Sequence, residues 1–163
     1  MKGIGGVLIG LVCLWVGDVL QLGLASHLNY ISSPDFPLVL AFCLGLFSDR
    51  RGACLLGFGA GLVTGALTGA DLTLFVLTRT LIGFLIGWFS NLDLQLNVAV
   101  AAFAVFFGSL AVQLLFLFLG GHHGPLASYL GGTLASSVYN GVIAVPVYAL
   151  LNKIVAKPVG DRM

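Results

Sequence analysis

The chain has 163 residues, of which 59% are hydrophobic and only 8% carry a charge, and its mean hydropathy is +1.09. Soluble domains have about 25% charged residues, so this composition excludes a water-soluble fold and indicates an integral membrane protein. A net charge of +1 provides no basic surface for nucleic acid. The length predicts a single domain over residues 1–163 with almost nothing outside the bilayer.

The first two predicted helices differ in length. A spanning helix needs about 20 apolar residues. The segment Gly3–Ser26 follows Lys2 and is longer than the apolar region of about 7 to 15 residues in a signal peptide, so we predict a retained span. The second segment, Phe36–Phe47, is short enough on length alone to be a re-entrant loop, unless it extends back to Ser32.

The distribution of basic residues decides that the second segment crosses. If it did not, Arg50 and Arg51 would lie opposite Lys2, against the rule that short basic loops stay cytoplasmic. The sequence therefore predicts an all-α, polytopic membrane protein, a compact bundle of six transmembrane helices with both termini in the cytoplasm. The remaining predicted spans are Gly52–Thr68, Leu72–Phe89, Leu96–Leu119 and Leu126–Leu151.

Glycine recurs every four residues along the third helix. In lipid, small residues let helix backbones approach closely, and this provides the packing contacts. Two interpretations stay open: tight packing within this chain, and docking of a helix from a partner protein. The leading candidate for a docking surface is therefore the stripe of Gly57, Gly61, Gly65 and Gly69.

Arg79 lies inside an apolar run, where a charge is costly and marks a structural or functional site. Counting about 1.5 Å per residue from the outer helix ends places Arg79 and Asp18 at a similar depth of roughly 10 Å. We therefore predict that Asp18, assisted by Gln21 one helical turn away, balances the charge of Arg79. Gln113 falls in the same outer half and completes a polar cluster. Such a cluster acts as structural glue or binds an anionic or polar ligand.

Other polar residues give weaker signals. An amide near mid-membrane must find a partner, so Tyr139-Asn140, with Pro146 six residues after Asn140, predicts a pinned or kinked sixth helix. His122-His123 lie in a glycine-rich turn with no third ligand nearby, so we predict no metal site. The chain has no Ser/His/Asp set, phosphate loop or paired intramembrane carboxylates, and we predict neither catalysis nor a cofactor.

Several short motifs occur in order along the chain: Asn29-Tyr30, Pro34-Asp35-Phe36, Leu46-Phe47, Arg50-Arg51-Gly52, Gly57-Phe58, Gly61-Leu62, Tyr139-Asn140, Pro146 and Tyr148-Ala149-Leu150-Leu151. Together they resemble the MreD family of rod-shape membrane proteins. One departure concerns an acidic residue that many relatives carry four positions after the glycine matched to Gly61, because Gly65 stands there in this chain.

The resemblance implies a non-enzymatic scaffold in the bacterial inner membrane, within the complex that elongates the cell by peptidoglycan synthesis. Its implied partners are MreC and, through MreC, RodA with its transpeptidase partner, together with membrane lipid. The implied fold is similar to the substrate-binding subunits of energy-coupling-factor vitamin transporters, which supply the alternative function. Such a subunit needs a roomy pocket lined by aromatic residues. The predicted outer loops are short and poor in Trp and Tyr, which favours the scaffold.

Overall fold

The computed structural model describes residues 4–25, 34–69, 71–89, 97–120 and 125–155. Within these ranges the chain forms six α-helices and no strand, and each helix lies within a few residues of a predicted segment. The basic residues Lys2, Lys157 and Arg162 lie outside the described residues. The helices are α1 Ile4–Ala25, α2 Phe36–Leu46, α3 Arg50–Thr68, α4 Leu72–Phe89, α5 Val98–Gly120 and α6 Leu126–Val155.

Four of these helices, α3 to α6, are long and apolar enough to cross a membrane, which indicates a membrane protein. The described apolar stretches of the other two, Gly6–Gln21 and Phe36–Leu46, are shorter. Because α2 begins behind its N-cap Asp35, it does not extend back to Ser32. Its 11 residues cover about 16 Å, roughly half of the ~30 Å hydrocarbon core of a bilayer.

Successive helices run antiparallel, so the bundle has two ends. We call the end at which α3 begins the Arg50 end, and the end at which α3 stops the Gly69 end. The Asp49 carboxylate caps the start of α3 by accepting a hydrogen bond from the Gly52 N–H at 3.3 Å. Gly69 ends the helix with a φ of +63°, a left-handed conformation that glycine adopts without a steric penalty.

The short helix α2 lies at the centre of the bundle. Nine of its 11 residues are buried, and it contacts all five other helices. Its sequence carries no polar side chain, as expected of a helix that is enclosed on every side. A methyl group on Gly108 of α5 would lie 2.6 Å from the Phe42 ring, so α5 packs directly on this central helix.

The glycine stripe of α3 packs against α4 of the same chain. A methyl group on Gly61 would lie 2.6 Å from the Val76 Cα, and one on Gly57 would collide with the backbone carbonyl of Arg79. The structure therefore shows the internal packing interpretation. Because α4 fills the space beside Gly57, Gly61 and Gly65, the predicted docking surface is wrong at these three residues. Gly69 is exposed at the end of α3, and docking at this residue stays a prediction.

Candidate functional site

Arg79 is 1% exposed and forms its ion pair with the start of α2. Its Nη2 donates to the Asp35 Oδ2, and its Nη1 donates to the Thr64 hydroxyl at 2.5 Å and to the Ala60 carbonyl at 3.2 Å. The predicted direct pair with Asp18 is therefore wrong. Since α2 is short, its first residue lies at the depth of Arg79 and brings the Asp35 carboxylate to the guanidinium.

Asp35 also caps the buried N-terminus of α2. The first N–H groups of a helix have no partner inside the helix, so a buried helix start requires acceptors from elsewhere. Asp35 Oδ1 accepts from the Leu38 N–H at 3.0 Å, and Gln21 Oε1 accepts from the Phe36 N–H at 2.9 Å. Gln21 was predicted to assist in balancing the charge of Arg79, and instead it supports the start of α2.

Asp18 contacts the ion pair through one intermediate side chain. The Thr64 hydroxyl accepts a hydrogen bond from Arg79 and donates one to Asp18 Oδ1 at 2.8 Å. Asp18 is 3% exposed, and its Oδ2 has no hydrogen-bond partner among the described residues. Asp18 therefore belongs to the predicted polar cluster, but it is linked to Arg79 only through Thr64.

On the other side of α2, the Asn140 side chain links α6 to α5. Its Oδ1 accepts from the Asp35 N–H at 2.8 Å, and its Nδ2 donates to the Ser109 hydroxyl at 2.7 Å. Gln113 Nε2 donates to the same hydroxyl at 3.5 Å. The backbone carbonyl of Gln113 accepts from the Tyr129 hydroxyl at 2.7 Å. Asn140 thus has the partners that an amide inside an apolar helix requires.

The sequence prediction grouped Asn140 with Tyr139 and Pro146. These two residues make none of the hydrogen bonds described for Asn140. Tyr139 is half-exposed on the outside of the bundle. Pro146 is exposed, and α6 continues through it to Val155. Of the three predicted residues, Asn140 is therefore the one that pins α6.

Hydrogen bonds and the ion pair join all six helices into one connected group of side chains. It runs from α1 through α3 and α4 to the start of α2, and from there to α6 and α5. We call this group the polar layer, and its members are Asp18, Thr64, Arg79, Asp35, Asn140 and Ser109.

A cavity of about 260 Å³, the polar cavity, adjoins the polar layer. Three predicted cluster residues, Gln21, Arg79 and Gln113, line it, whereas Asp18 lies behind Thr64. The Phe75 ring forms part of the wall and lies 5.3 Å from the guanidinium carbon of Arg79. The lining among the described residues is Gln21, Asp35, Leu38, Thr64, Thr68, Phe75, Arg79, Ser109, Val112, Gln113 and Ser136.

Two apolar grooves flank α5. The larger, about 480 Å³, lies between α4 and α5 beside Ile86, Phe103 and Phe107. The other, about 420 Å³, lies between α5 and α6, with Ala102 and Gly141 in its wall. In the most apolar 18-residue stretch of each helix, 17% of the residues are buried in α5 and 50% in α3. Phe103, Phe107 and Phe118 of α5 are exposed on the outside of the bundle.

The sequence analysis did not assign Asp35, Thr64 and Ser109 to the cluster. Asp35 directly precedes the second predicted helix, and a role as the N-cap of that helix explained the residue sufficiently. Thr64 had a detectable signal, because it follows Gly57 and Gly61 at helical spacing on the face that packs against α4. Ser109 precedes Gln113 by four residues and therefore shares its helix face.

Within the described ranges, no group of three His, Cys, Asp or Glu side chains is placed to hold a metal ion. The prediction for His122 and His123 lies outside the described residues. Comparison with known protein families, curated proteins and solved structures gives no match to this chain.

Proposed function

We propose that this protein is a non-enzymatic, MreD-like scaffold of the bacterial cell-elongation complex, located in the inner membrane, which binds MreC laterally. The observation that carries the proposal is the contrast between the inside and the outside of the bundle. The polar layer ties all six helices together, while the outside of α5 carries the exposed apolar side chains of Phe103 and Phe107 beside two apolar grooves. A bundle that is joined inside and apolar along one outer helix face suits a protein that positions another membrane helix.

The proposed topology has six spans with both termini in the cytoplasm. The charges at the Arg50 end support it: Arg50 starts α3 there, and Lys153 lies in the last turn of α6. The Phe47 ring, just before α3, stacks on the Tyr148 ring of α6 with 5.0 Å between the ring centroids. The start of α3 and the end of α6 therefore lie at the same side of the bundle. Basic residues favour the cytoplasmic face, so the Arg50 end is the cytoplasmic one in this proposal.

In this proposal the partner's single transmembrane helix lies along α5. Hydrophobic burial gives little drive between helices in lipid, so docking depends on shape, and the two grooves beside α5 offer a surface that an opposing helix can fill. The exposed Phe103 and Phe107 form the ridge between these grooves. MreC would in turn connect the scaffold to RodA and its transpeptidase partner.

Site-specific photo-crosslinking tests this surface. A photoreactive phenylalanine analogue at Phe103 or Phe107, in a rod-shaped bacterium that depends on this protein for its shape, is expected to yield a crosslink to MreC. Val12 on α1 is the matched control, since Phe103 and Val12 are both 63% exposed. Crosslinks to MreC from Val12 and none from α5 would move the interface to α1. No MreC crosslink from either helix, and no MreC in a mild-detergent pull-down, would contradict the scaffold itself.

The alternative, a vitamin-binding subunit of an energy-coupling-factor transporter, is supported by the polar cavity. Its volume of about 260 Å³ lies below the roughly 300–1,000 Å³ of sites for drug-sized ligands. Among the described residues that line it, Phe75 is the single aromatic one. These two features favour the scaffold. The same pull-down separates the two functions, because recovery of a transporter ATPase in place of wall-synthesis proteins would favour the vitamin subunit.

A further inference from the structure

The Arg50 end of the bundle carries an excess of positive charge. Among the described residues at this end, the basic side chains of Arg50, Arg51 and Lys153 are exposed, and Asp49 is the single acidic one. Neither arginine forms an ion pair with a described residue, and the Asp49 carboxylate caps α3. Three positive charges against one negative charge attract an anionic group from the surroundings.

The Arg50 side chain lies against the membrane-facing side of the α3–α4 hairpin. Its Cα is beside Gly87 of α4, where an added methyl group would be 2.8 Å from it. Its guanidinium carbon lies 5.5 Å from the centre of the exposed Phe84 ring. A ring beneath a guanidinium fixes its position but does not neutralise its charge. The donors of Arg50 are therefore held next to apolar surface, near the end of a helix long enough to cross a membrane.

An exposed apolar face of α4 extends from Phe84 in both directions. Leu77, Leu81, Phe84 and Trp88 follow one another at helical spacing, share one face and are all exposed. From Leu77 to Trp88 this face covers about 16 Å, since each residue adds about 1.5 Å. One leaflet contributes about 15 Å to the hydrocarbon core of a bilayer. The face therefore matches the length of one lipid acyl chain.

We propose that this part of the α3–α4 hairpin binds an anionic phospholipid, with its phosphate on the Arg50 guanidinium and an acyl chain along the exposed face of α4. Hydrogen bonds between guanidinium and phosphate are charge-assisted and can be bidentate. Arg51 adds a second positive charge, which opposes the ammonium group of a zwitterionic headgroup. The proposal does not depend on the scaffold function, since it rests on the charge and the exposed surface of the hairpin.

The two tryptophans of the chain provide a pair of reporters for this site. Trp88 lies on the exposed face of α4, whereas Trp15 lies on α1, which packs against α2 and α3 but not α4 within the described ranges. The two side chains are similarly exposed, at 53% for Trp88 and 58% for Trp15. Trp15→Phe and Trp88→Phe each leave one of them as the single reporter.

Fluorescence quenching in phosphatidylcholine vesicles tests the proposal. A fixed share of the lipid is brominated on its acyl chains and is either phosphatidylglycerol, which is anionic, or phosphatidylcholine. A basic residue near the membrane surface strengthens the binding of anionic lipid about five-fold, so Trp88 is expected to show about this preference for brominated phosphatidylglycerol. Trp15 is expected to show none. Equal quenching of Trp88 by the two lipids, or the same preference at Trp15, would overturn the proposal.

A matched pair of substitutions separates a site at Arg50 from the total charge of this end. Arg50→Gln removes the phosphate ligand. Lys153→Gln removes the same charge from α6, which packs against neither α3 nor α4 within the described ranges. The first is expected to lower the preference of Trp88 for the anionic lipid about five-fold, and the second to leave it unchanged. Equal losses in the two variants would contradict a site at Arg50.

Inorganic phosphate distinguishes the lipid from a free anion. At constant ionic strength, millimolar phosphate is expected to leave the quenching of Trp88 by brominated phosphatidylglycerol unchanged, because a free ion does not cover the apolar face of α4. Displacement of the lipid by phosphate would assign Arg50 to a free anion and overturn the lipid.

Discussion

Asp35 and Arg79 are separated by 44 positions in the sequence and form an ion pair at the buried start of α2. The same carboxylate accepts a hydrogen bond from the Leu38 N–H, so one side chain both neutralises a guanidinium and caps a helix. This pair is the link between the α1–α3–α4 part of the polar layer and the α5–α6 part. The substitutions below test how much of the stability of the bundle depends on it.

Asp35→Asn separates the two roles of this carboxylate, because asparagine is also a good N-cap. Loss of the charge leaves the Arg79 guanidinium buried without its counter-ion, which costs about 3–5 kcal/mol when one partner of a buried pair is removed. We expect the lower part of this range, as Asp35 is partly exposed. The measurement is the free energy of unfolding in mixed detergent micelles with increasing SDS.

Two further variants control this result. Asp71→Asn removes a carboxylate from the exposed turn before α4 and is expected to have little effect. The double variant Asp35→Asn with Arg79→Gln removes both charges and is expected to be more stable than Asp35→Asn alone. Strictly additive losses in the double variant would show that the two side chains do not interact.

Asp18→Asn is expected to be milder than Asp35→Asn. The amide oxygen of asparagine can still accept the hydrogen bond from the Thr64 hydroxyl, and Arg79 keeps Asp35 as its partner. The change converts a charge-assisted hydrogen bond into a neutral one, with an expected cost of about 1 kcal/mol in the same unfolding measurement. A loss as large as that of Asp35→Asn would instead favour the direct Asp18–Arg79 pair predicted from the sequence.

Asn140→Leu tests the connection from α6 to the rest of the polar layer. It preserves approximate volume but leaves the Asp35 N–H and the Ser109 hydroxyl without this partner. The Asp35 N–H is then unsatisfied, which costs about 1–3 kcal/mol for a buried group, whereas the Ser109 hydroxyl keeps its contact with Gln113. A loss of about 1–3 kcal/mol is therefore expected in the SDS titration. Tyr139→Leu, one residue away on the exposed surface, is the control and is expected to change stability by less than about 1 kcal/mol.

Gly61→Ala tests whether the stripe on α3 is an internal contact. The added methyl group would lie 2.6 Å from the Val76 Cα, a backbone atom that cannot move without shifting α4. Overpacking of this kind costs about 1–3 kcal/mol. At Gly131 in α6 the same methyl group meets nothing within 4 Å, so Gly131→Ala is expected to be neutral or to stabilise by up to about 1 kcal/mol.

The outcome of this pair also bears on the docking prediction made from the sequence. A Gly61→Ala variant that unfolds as readily as the unaltered protein, yet no longer co-purifies with MreC, would restore the stripe as a partner surface. Loss of stability together with retained binding in the folded fraction supports internal packing.

The positions of the helices could be predicted from the sequence because apolar runs and breaks mark them directly. Gly69 and Asp35, for example, end or begin helices for local reasons of backbone geometry and capping. The hairpin of α3 and α4 was also predictable, since a turn of three residues leaves little choice of neighbour. The sequence could not predict which helix packs against the glycines, because a stripe of small residues allows the close approach of any helix.

Which residues pair in the polar layer depends on how deep each side chain lies in the membrane, and counting along the sequence alone put Asp35 at the wrong depth. Counting residues from the helix ends placed Asp18 level with Arg79, and Thr64, between them, was not considered. Asp35 directly precedes the second predicted span, and the six-span scheme with a cytoplasmic N-terminus puts that position at the outer face. In the structure α2 covers about half of a bilayer, so Asp35 at its start lies deep enough to reach Arg79.

The hydrogen bond between Asp35 and Asn140 joins residues 105 positions apart, and α2 contacts every other helix. Because α6 is made after the five other helices, a growing polypeptide cannot complete this bond until α6 has left the ribosome. Until then the start of α2 lacks one of its hydrogen-bond acceptors, and the side of α2 that packs against α6 is uncovered. Biogenesis of this protein therefore depends on an intermediate that stays open, and truncation before α6 is expected to yield a product that membrane proteases degrade.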